Sequence, residues 1–325
     1  MSWDESRVRR RIAEIVAEAE AARTGGTWPA HPLDDEVTRD ETLTVYLGSA
    51  GIVWALRRLG STLDLPIAPL DERTPSLLVG ESGVLLVTRT DDRRLQELVD
   101  ANERNPTWEL LWGSPGTILA AKHAGLEWRR SAEILADEWE RGGGVWTQVL
   151  PGRSGSVLLG AGHGFAGNVH ALRGFLDDDE LRRRVEPVLR EHAVWEDGCV
   201  NWPPQVGGVP SRVQWCHGAP GIVTTLGDLL PEDLLLAAAE TTWRTGPLEK
   251  GPGLCHGTAG NGYALLRTYE LTGDERWLER ARAFATAALD QVQHRYSLFT
   301  GDVGAALFAQ ACLDLDARFP ILDVV

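Results

Sequence analysis

The chain has 325 residues, 43% hydrophobic and 24% charged, which is enough for a large buried core. Its net charge of -15 at pH 7 opposes non-specific binding to nucleic acid or to an anionic membrane, because phosphate contacts need clustered Lys and Arg and no basic patch occurs. The opening residues (MSWDESRVRRRIAEIVAEAEAARTGG) lack the apolar segment of a secretory signal, and no apolar run of about 18 residues occurs, so a cytoplasmic protein is expected.

In chain order, residues 4–23 read as a first amphipathic helix, with Val8, Ile12, Ile15, Val16 and Ala19 on one stripe. From there the pattern GxxG opens an apolar run seven times: GSAG at Gly48, GESG at Gly80, GSPG at Gly113, GFAG at Gly164, GAPG at Gly218, GTAG at Gly257 and GDVG at Gly301. The intervals of 32, 33, 51, 54, 39 and 44 residues fall in the range of helical-hairpin repeats. The segments that follow, such as GIVWALRRL and GIVTTLGDLL, are apolar on several faces and belong inside. Glycines at the helix starts let neighbouring backbones approach closely.

Between the motifs lie segments charged on one side and apolar on the other: 92–103, 128–141, 178–194, 231–246 and 274–294. They read as an outer layer. Residues 61–75 (STLDLPIAPLDERTP) carry prolines and make a poor helix, so one outer helix is expected to be short or missing. Inner apolar helices alternating with outer amphipathic ones bury both faces by closing into a ring, and no terminal repeat looks especially polar, as the ends of an open solenoid would. The expected fold is all-α, a two-layer α/α toroid of about seven helical hairpins with GxxG at the inner-helix starts. It is expected as one domain over 1–325, with a lead-in at 1–40, repeats at 41–315 and a tail at 316–325. Two Gly- and Pro-rich connections, 141–159 and 195–215, are long enough to lie over one end and shape a site.

The residue before each GxxG should recur at one end of the ring. In three successive repeats it is His163, His217 and His256, and in two of them Cys216 and Cys255 come before it. Adjacent repeats would thus bring two thiols and up to three imidazoles to one small volume. Two Cys and one His are a good zinc set, and three protein ligands leave a fourth position open, as in catalytic sites. Cys199 and Cys312 read as ordinary buried cysteines. Two thiolates leave a zinc ion little Lewis acidity for water, but a substrate thiol can join them and lose its proton. Such a centre suits sulfur addition or alkylation. His163 is placed to give a proton to the acceptor, and Arg212, four residues before Cys216, could stabilise a developing enolate.

At these residues, AGHGFAGN, RVQWCHGAPG, GLCHGTAGN and SLFTGDVGAAL, the chain resembles the lanthionine synthetase C (LanC) family, and within it the LanC-like proteins. The resemblance covers all seven repeats and implies an α/α toroid with one catalytic Zn2+ held by Cys216, Cys255 and His256, with His217 outside the ligand set. It implies addition of a peptide cysteine, or of glutathione, to dehydroalanine or dehydrobutyrine in a dehydrated peptide or protein, with His163 and Arg212 as acid/base and charge-stabilising residues. Where the family's cyclases place an Asp acid/base residue before the third GxxG, this chain has Glu109, as the LanC-like branch does; it keeps a carboxylate, moved by about one methylene, for a catalytic role as general base or as orienter of an imidazole. That departure keeps alive a second reading, a non-catalytic zinc protein that binds glutathione or a peptide. A glycosidase on the same fold would need paired carboxylates at the ring mouth, where Cys and His stand instead.

Overall fold

The structure is a computed structural model that describes residues 3–34, 37–63 and 66–325. Seven short helices each begin at a GxxG: α2 (Ser49–Arg58), α3 (Glu81–Thr88), α5 (Ser114–Ala124), α7 (Phe165–Leu172), α9 (Ala219–Leu226), α11 (Thr258–Thr272) and α13 (Asp302–Asp314). Six amphipathic helices surround them: α1 (Glu5–Ala22), α4 (Asp92–Asn102), α6 (Arg129–Arg141), α8 (Asp178–His192), α10 (Glu232–Thr245) and α12 (Glu275–Asp290). No helix among the described residues joins α2 to α3, as the prolines of 61–75 lead one to expect.

The two layers start differently. Four of the six outer helices carry acidic side-chain caps: Asp4 accepts from the Arg7 N–H at 3.0 Å, and Asp91, Asp177 and Asp274 cap α4, α8 and α12 in the same way, whereas α6 and α10 start on Trp128 and Pro231 without one. Inner helices start on glycine without a side-chain cap, and their early residues are buried on every face. A Cβ on the second glycine of each motif (Gly51, Gly83, Gly116, Gly167, Gly221, Gly260, Gly304) would lie 1.8–2.3 Å from the carbonyl oxygen six residues earlier. Only a hydrogen fits between the helix and the chain that enters it.

The same seven glycines record the closure of the ring. Each also abuts a side chain of the preceding repeat: Gly83 against Val45, Gly116 against Leu77, Gly167 against Leu110, Gly221 against Ala161, Gly260 against Trp215 and Gly304 against Leu254. Gly51, in the first repeat, abuts Leu298 of the seventh. Backbone hydrogen bonds cross four of these joints at the position two before the motif: Cys216 N to Cys255 O, Cys255 N to Phe299 O, Phe299 N to Tyr46 O and Tyr46 N to Leu78 O. The fold is therefore a closed two-layer α/α toroid, its GxxG ends gathered at one mouth.

Two features were not expected. Residues after α8 form a small antiparallel hairpin, β1 (Val194–Glu196) and β2 (Cys199–Asn201), so that helix ends before 194. The C-terminal segment is part of the core: Phe319 stacks on Trp215 (centroids 4.7 Å apart) and meets Tyr263 edge-on, while Ile321 and Leu322 are buried. It closes the base of the ring, where Asp323 meets His170 near the end of α7 and the Leu322 carbonyl meets His123 near the end of α5. No helix among the described residues is long and apolar enough to cross a membrane.

Candidate active site

Because each repeat repeats the same turn, residues equally spaced before a GxxG occupy equivalent places around the mouth. Cys216 and Cys255 stand two before their motifs in neighbouring repeats, linked through the Cys216 N–H to the Cys255 carbonyl at 3.1 Å. Both thiols are buried in the core, and each acts on the other's ionisation. Bonding to Cys255, opposed by burial and aided by His163, Gln214 and Arg212, lowers the Cys216 pKa. The Cys255 thiol is pushed up by that same bond and by burial. Two neighbouring thiols, one of them eased toward the thiolate, are an arrangement that suits a divalent cation.

Three residues that sequence reasoning passed over support this pair. Gln214 Nε2 donates to Cys216 Sγ at 2.9 Å, its carbonyl accepts from Lys250 Nζ at 3.4 Å, and the Tyr46 hydroxyl bonds the Cys255 sulfur. Nothing in their types marked them, but register could have found Tyr46, which stands two before the first GxxG as the cysteines do before theirs.

His163 and Glu109 form the second half of the site. His163 Nδ1 lies 3.0 Å from Glu109 Oε2, and the buried carboxylate also accepts from the backbone N–H groups of Leu111 at 3.0 Å and Trp112 at 2.5 Å. Burial disfavours an imidazolium at His163, but the bond to Glu109, its charge and that of Cys216 outweigh this and raise the pKa above its ordinary value. The chain bearing His163 passes directly over the thiols: a Cβ at Gly162 would come within 2.9 Å of the Cys216 Cβ, and one at Gly160 within 2.1 Å of the Cys216 carbonyl oxygen. Side chains at either position would force the imidazole away from the sulfur.

His217 stacks on His163 with ring centroids 5.3 Å apart, and burial together with the charges of His163 and Arg212 lowers its pKa to about 3. It is a neutral partner for the His163 ring, whose pKa is raised. Arg212 is exposed and its side chain has no hydrogen-bond partner among the described residues, yet its charge reaches Cys216, His217 and His256.

His256 is the third ligand expected from the sequence. Among the described residues no three His, Cys, Asp or Glu side chains are gathered as a metal-binding group. Burial and the charges of Lys250 and Arg295 hold its pKa at about 4, so the imidazole is neutral, the form a metal requires, and it makes no hydrogen bond among the described residues. Two thiols already in contact and a neutral, unbonded imidazole on the residue next to Cys255 are a donor set that fits zinc. Cys312 is buried in α13 with its thiol pKa pushed well up, and Cys199 lies half-buried on β2, both apart from this constellation.

The arrangement has recognisable relatives. Residues 30–324 match the family described as lanthionine synthetase C-like protein. A zebrafish (Danio rerio) protein named glutathione S-transferase LANCL1 is 26% identical over 96% of this chain and 91% of its own length. LanC-like protein GCL1 from Arabidopsis thaliana is 33% identical over 51% of this chain and 43% of its own. Among solved structures, nisin cyclase superposes with a TM-score of 0.62 over 94% of each chain at 16% identity, which shows the shared toroid. With the family match spanning nearly the whole chain, from before the first repeat through the buried C-terminal segment, this protein belongs to the lanthionine synthetase C-like family.

Proposed function

We propose that this protein adds a thiol to the β-carbon of a dehydroalanine or dehydrobutyrine residue, forming a thioether, with one zinc held by Cys216, Cys255 and His256. The observation that carries the reading is the pairing of two thiols from adjacent repeats directly beneath an imidazole whose other nitrogen is fixed by a buried carboxylate. When bound, zinc lowers the pKa of a substrate thiol below its free value of about 8.5, so that thiolate is present at neutral pH.

The chain's own residues do the rest. The sulfur electron pair forms the new C–S bond as the C=C pair moves toward the α-carbon and its carbonyl, and the Arg212 guanidinium offsets the negative charge that develops there. Glu109 holds His163 through Nδ1, which leaves Nε2 to deliver a proton to the α-carbon. The thiol loses one proton and the carbon gains one, so the addition is redox-neutral. The positive field of Lys250 and Arg212 around His256 suits a thiol that carries carboxylates, as glutathione does, in keeping with the name of the zebrafish relative.

The test is mass spectrometry of a dehydroalanine peptide incubated with the purified protein, with and without glutathione, alongside elemental analysis for zinc. An adduct at the mass of peptide plus glutathione, or a ring that removes a free cysteine, supports the reading. Zinc and glutathione binding with neither product would make it a binding protein instead.

A further inference from the structure

Beside His163, on the side away from the cysteines, a cleft of about 700 Å3 opens to the surface. That volume lies within the ~300–1,000 Å3 typical of ligand sites. Ring order fixes its relation to the chemistry: Trp112 stands before the third GxxG where His163 stands before the fourth and His217 before the fifth, and the Trp112 and His163 rings lie 5.9 Å apart. Trp112 thus forms the inner end of the cleft, against the proton donor. The lining is largely apolar, Pro106 standing beside Val149, Leu150 and Pro151 of the long 141–159 connection, with Ser76 and Thr107 among its polar members. That connection is held in shape: Gln148 pairs with Ser156 and donates to the Trp108 carbonyl at 3.1 Å, and the Val149 N–H donates to the Pro106 carbonyl at 2.9 Å.

Two groups of the cleft lack protein partners. The Trp112 indole N–H makes no hydrogen bond, and the Arg153 guanidinium makes no ion pair, among the described residues. Arg153 is the one charged side chain among the described residues of the lining, on a chain whose net charge is -15. A free cation and a free aromatic donor on a rigid apolar trough that ends at an imidazole form a recognition surface for an extended chain.

We propose that this cleft is the acceptor subsite: it takes an extended peptide segment in which an apolar or aromatic residue next to the dehydrated one packs on Trp112 and an acidic residue further along pairs with Arg153. This rests on the thiol-addition reading for the word acceptor, whereas the binding preference stands on the cleft alone. The peptide enters on the Trp112 side of His163 and the thiol on the Cys216 side, so the new bond forms beneath the imidazole.

The experiment uses fluorescein-labelled peptides with alanine in place of dehydroalanine, one with Glu and one with Lys two to three residues away, read by anisotropy against the full-length protein. The Glu peptide is expected to bind the wild type more tightly than the Lys peptide, and Arg153→Glu to weaken the Glu peptide about tenfold at low ionic strength, to favour the Lys peptide, and to lose both effects in high salt. Trp112→Ala, with its fold checked by circular dichroism, should weaken both peptides. With the reactive peptides, Arg153→Glu should raise KM for the Glu peptide and leave kcat within about twofold. If the wild type forms thioether but Arg153→Glu changes neither anisotropy nor KM, the cleft assignment falls and the function stands. If the charge-swapped preference appears but no thioether forms, the peptide site stands and the thiol-addition reading falls.

Discussion

Glu109, fully buried, holds His163 Nδ1 at 3.0 Å across 54 residues of sequence and ties the third repeat to the fourth at the ring mouth. The carboxylate does two things at once, fixing the imidazole and capping the turn through the Leu111 and Trp112 N–H groups.

These roles separate in Glu109→Gln. The amide keeps an acceptor for the turn but withdraws the charge that raises the His163 pKa, so the protonated imidazole should disappear at lower pH. The expected result is a 10- to 100-fold fall in thioether formation near pH 8, with a smaller loss near pH 6, as the alkaline limb of the rate profile moves to lower pH. A profile that falls uniformly at every pH would assign Glu109 a packing role only.

Zinc content tests the ligand set. The wild type should carry about one zinc per chain, and Cys216→Ala or Cys255→Ala should each remove most of it, because one thiol cannot hold the ion against competing water. Chelator treatment should lower the Tm of the wild type and leave that of the Cys255→Ala protein unchanged. A Cys255→Ala protein that still holds a full equivalent of zinc would end the assignment.

The cysteine pair was legible in the sequence because a ring converts register into position: residues equally spaced before GxxG meet at the mouth, whatever their separation along the chain. That no outer helix joins α2 to α3 among the described residues was legible from the prolines of 61–75 for a local reason. The Glu109 to His163 contact was legible only through the family resemblance, which offered Glu109 as an orienter of an imidazole, and not through register, since carboxylate and imidazole stand at different distances before their motifs, four and one. The role of the C-terminal segment was also hidden. Residues 316–325 have no periodicity, and their partners Trp215, Tyr263 and His170 lie far back in the chain, so nothing local marks Phe319 as core. Among the described residues the expected ligand set is not gathered as a three-residue metal group, and the zinc set stands as a proposal.

The glycines that close the ring should tolerate nothing larger. Gly221→Ala places a methyl 1.9 Å from the Trp215 carbonyl oxygen and 2.9 Å from the Ala161 Cβ, and both obstacles are backbone or buried. A loss of about 1–3 kcal/mol or more in urea unfolding is expected. Because Trp215 precedes Cys216, the same variant should also lower zinc affinity. Wild-type stability in Gly221→Ala would show that the helix can slide on its turn.

The base of the ring should respond to acid. Burial pushes the Asp323 carboxyl up, but the charge and hydrogen bond of His170 and the Phe319 N–H, which donates at 2.7 Å, outweigh it and hold its pKa below the usual value. A carboxylate with a depressed folded pKa contributes stability above its unfolded value of about 3.9 and loses it as pH falls through the folded one. Asp323→Asn should therefore be less stable than the wild type at pH 7, with a gap that closes as pH drops below about 4. Phe319→Ala removes the ring stacked on Trp215 and should cost about 3–5 kcal/mol at every pH, since no titrating group is lost. Denaturant midpoints measured for both variants between pH 3 and pH 7 distinguish the two behaviours. An Asp323→Asn gap that stayed constant over that range would show that the tail is held by packing, with no share from the His170 pair.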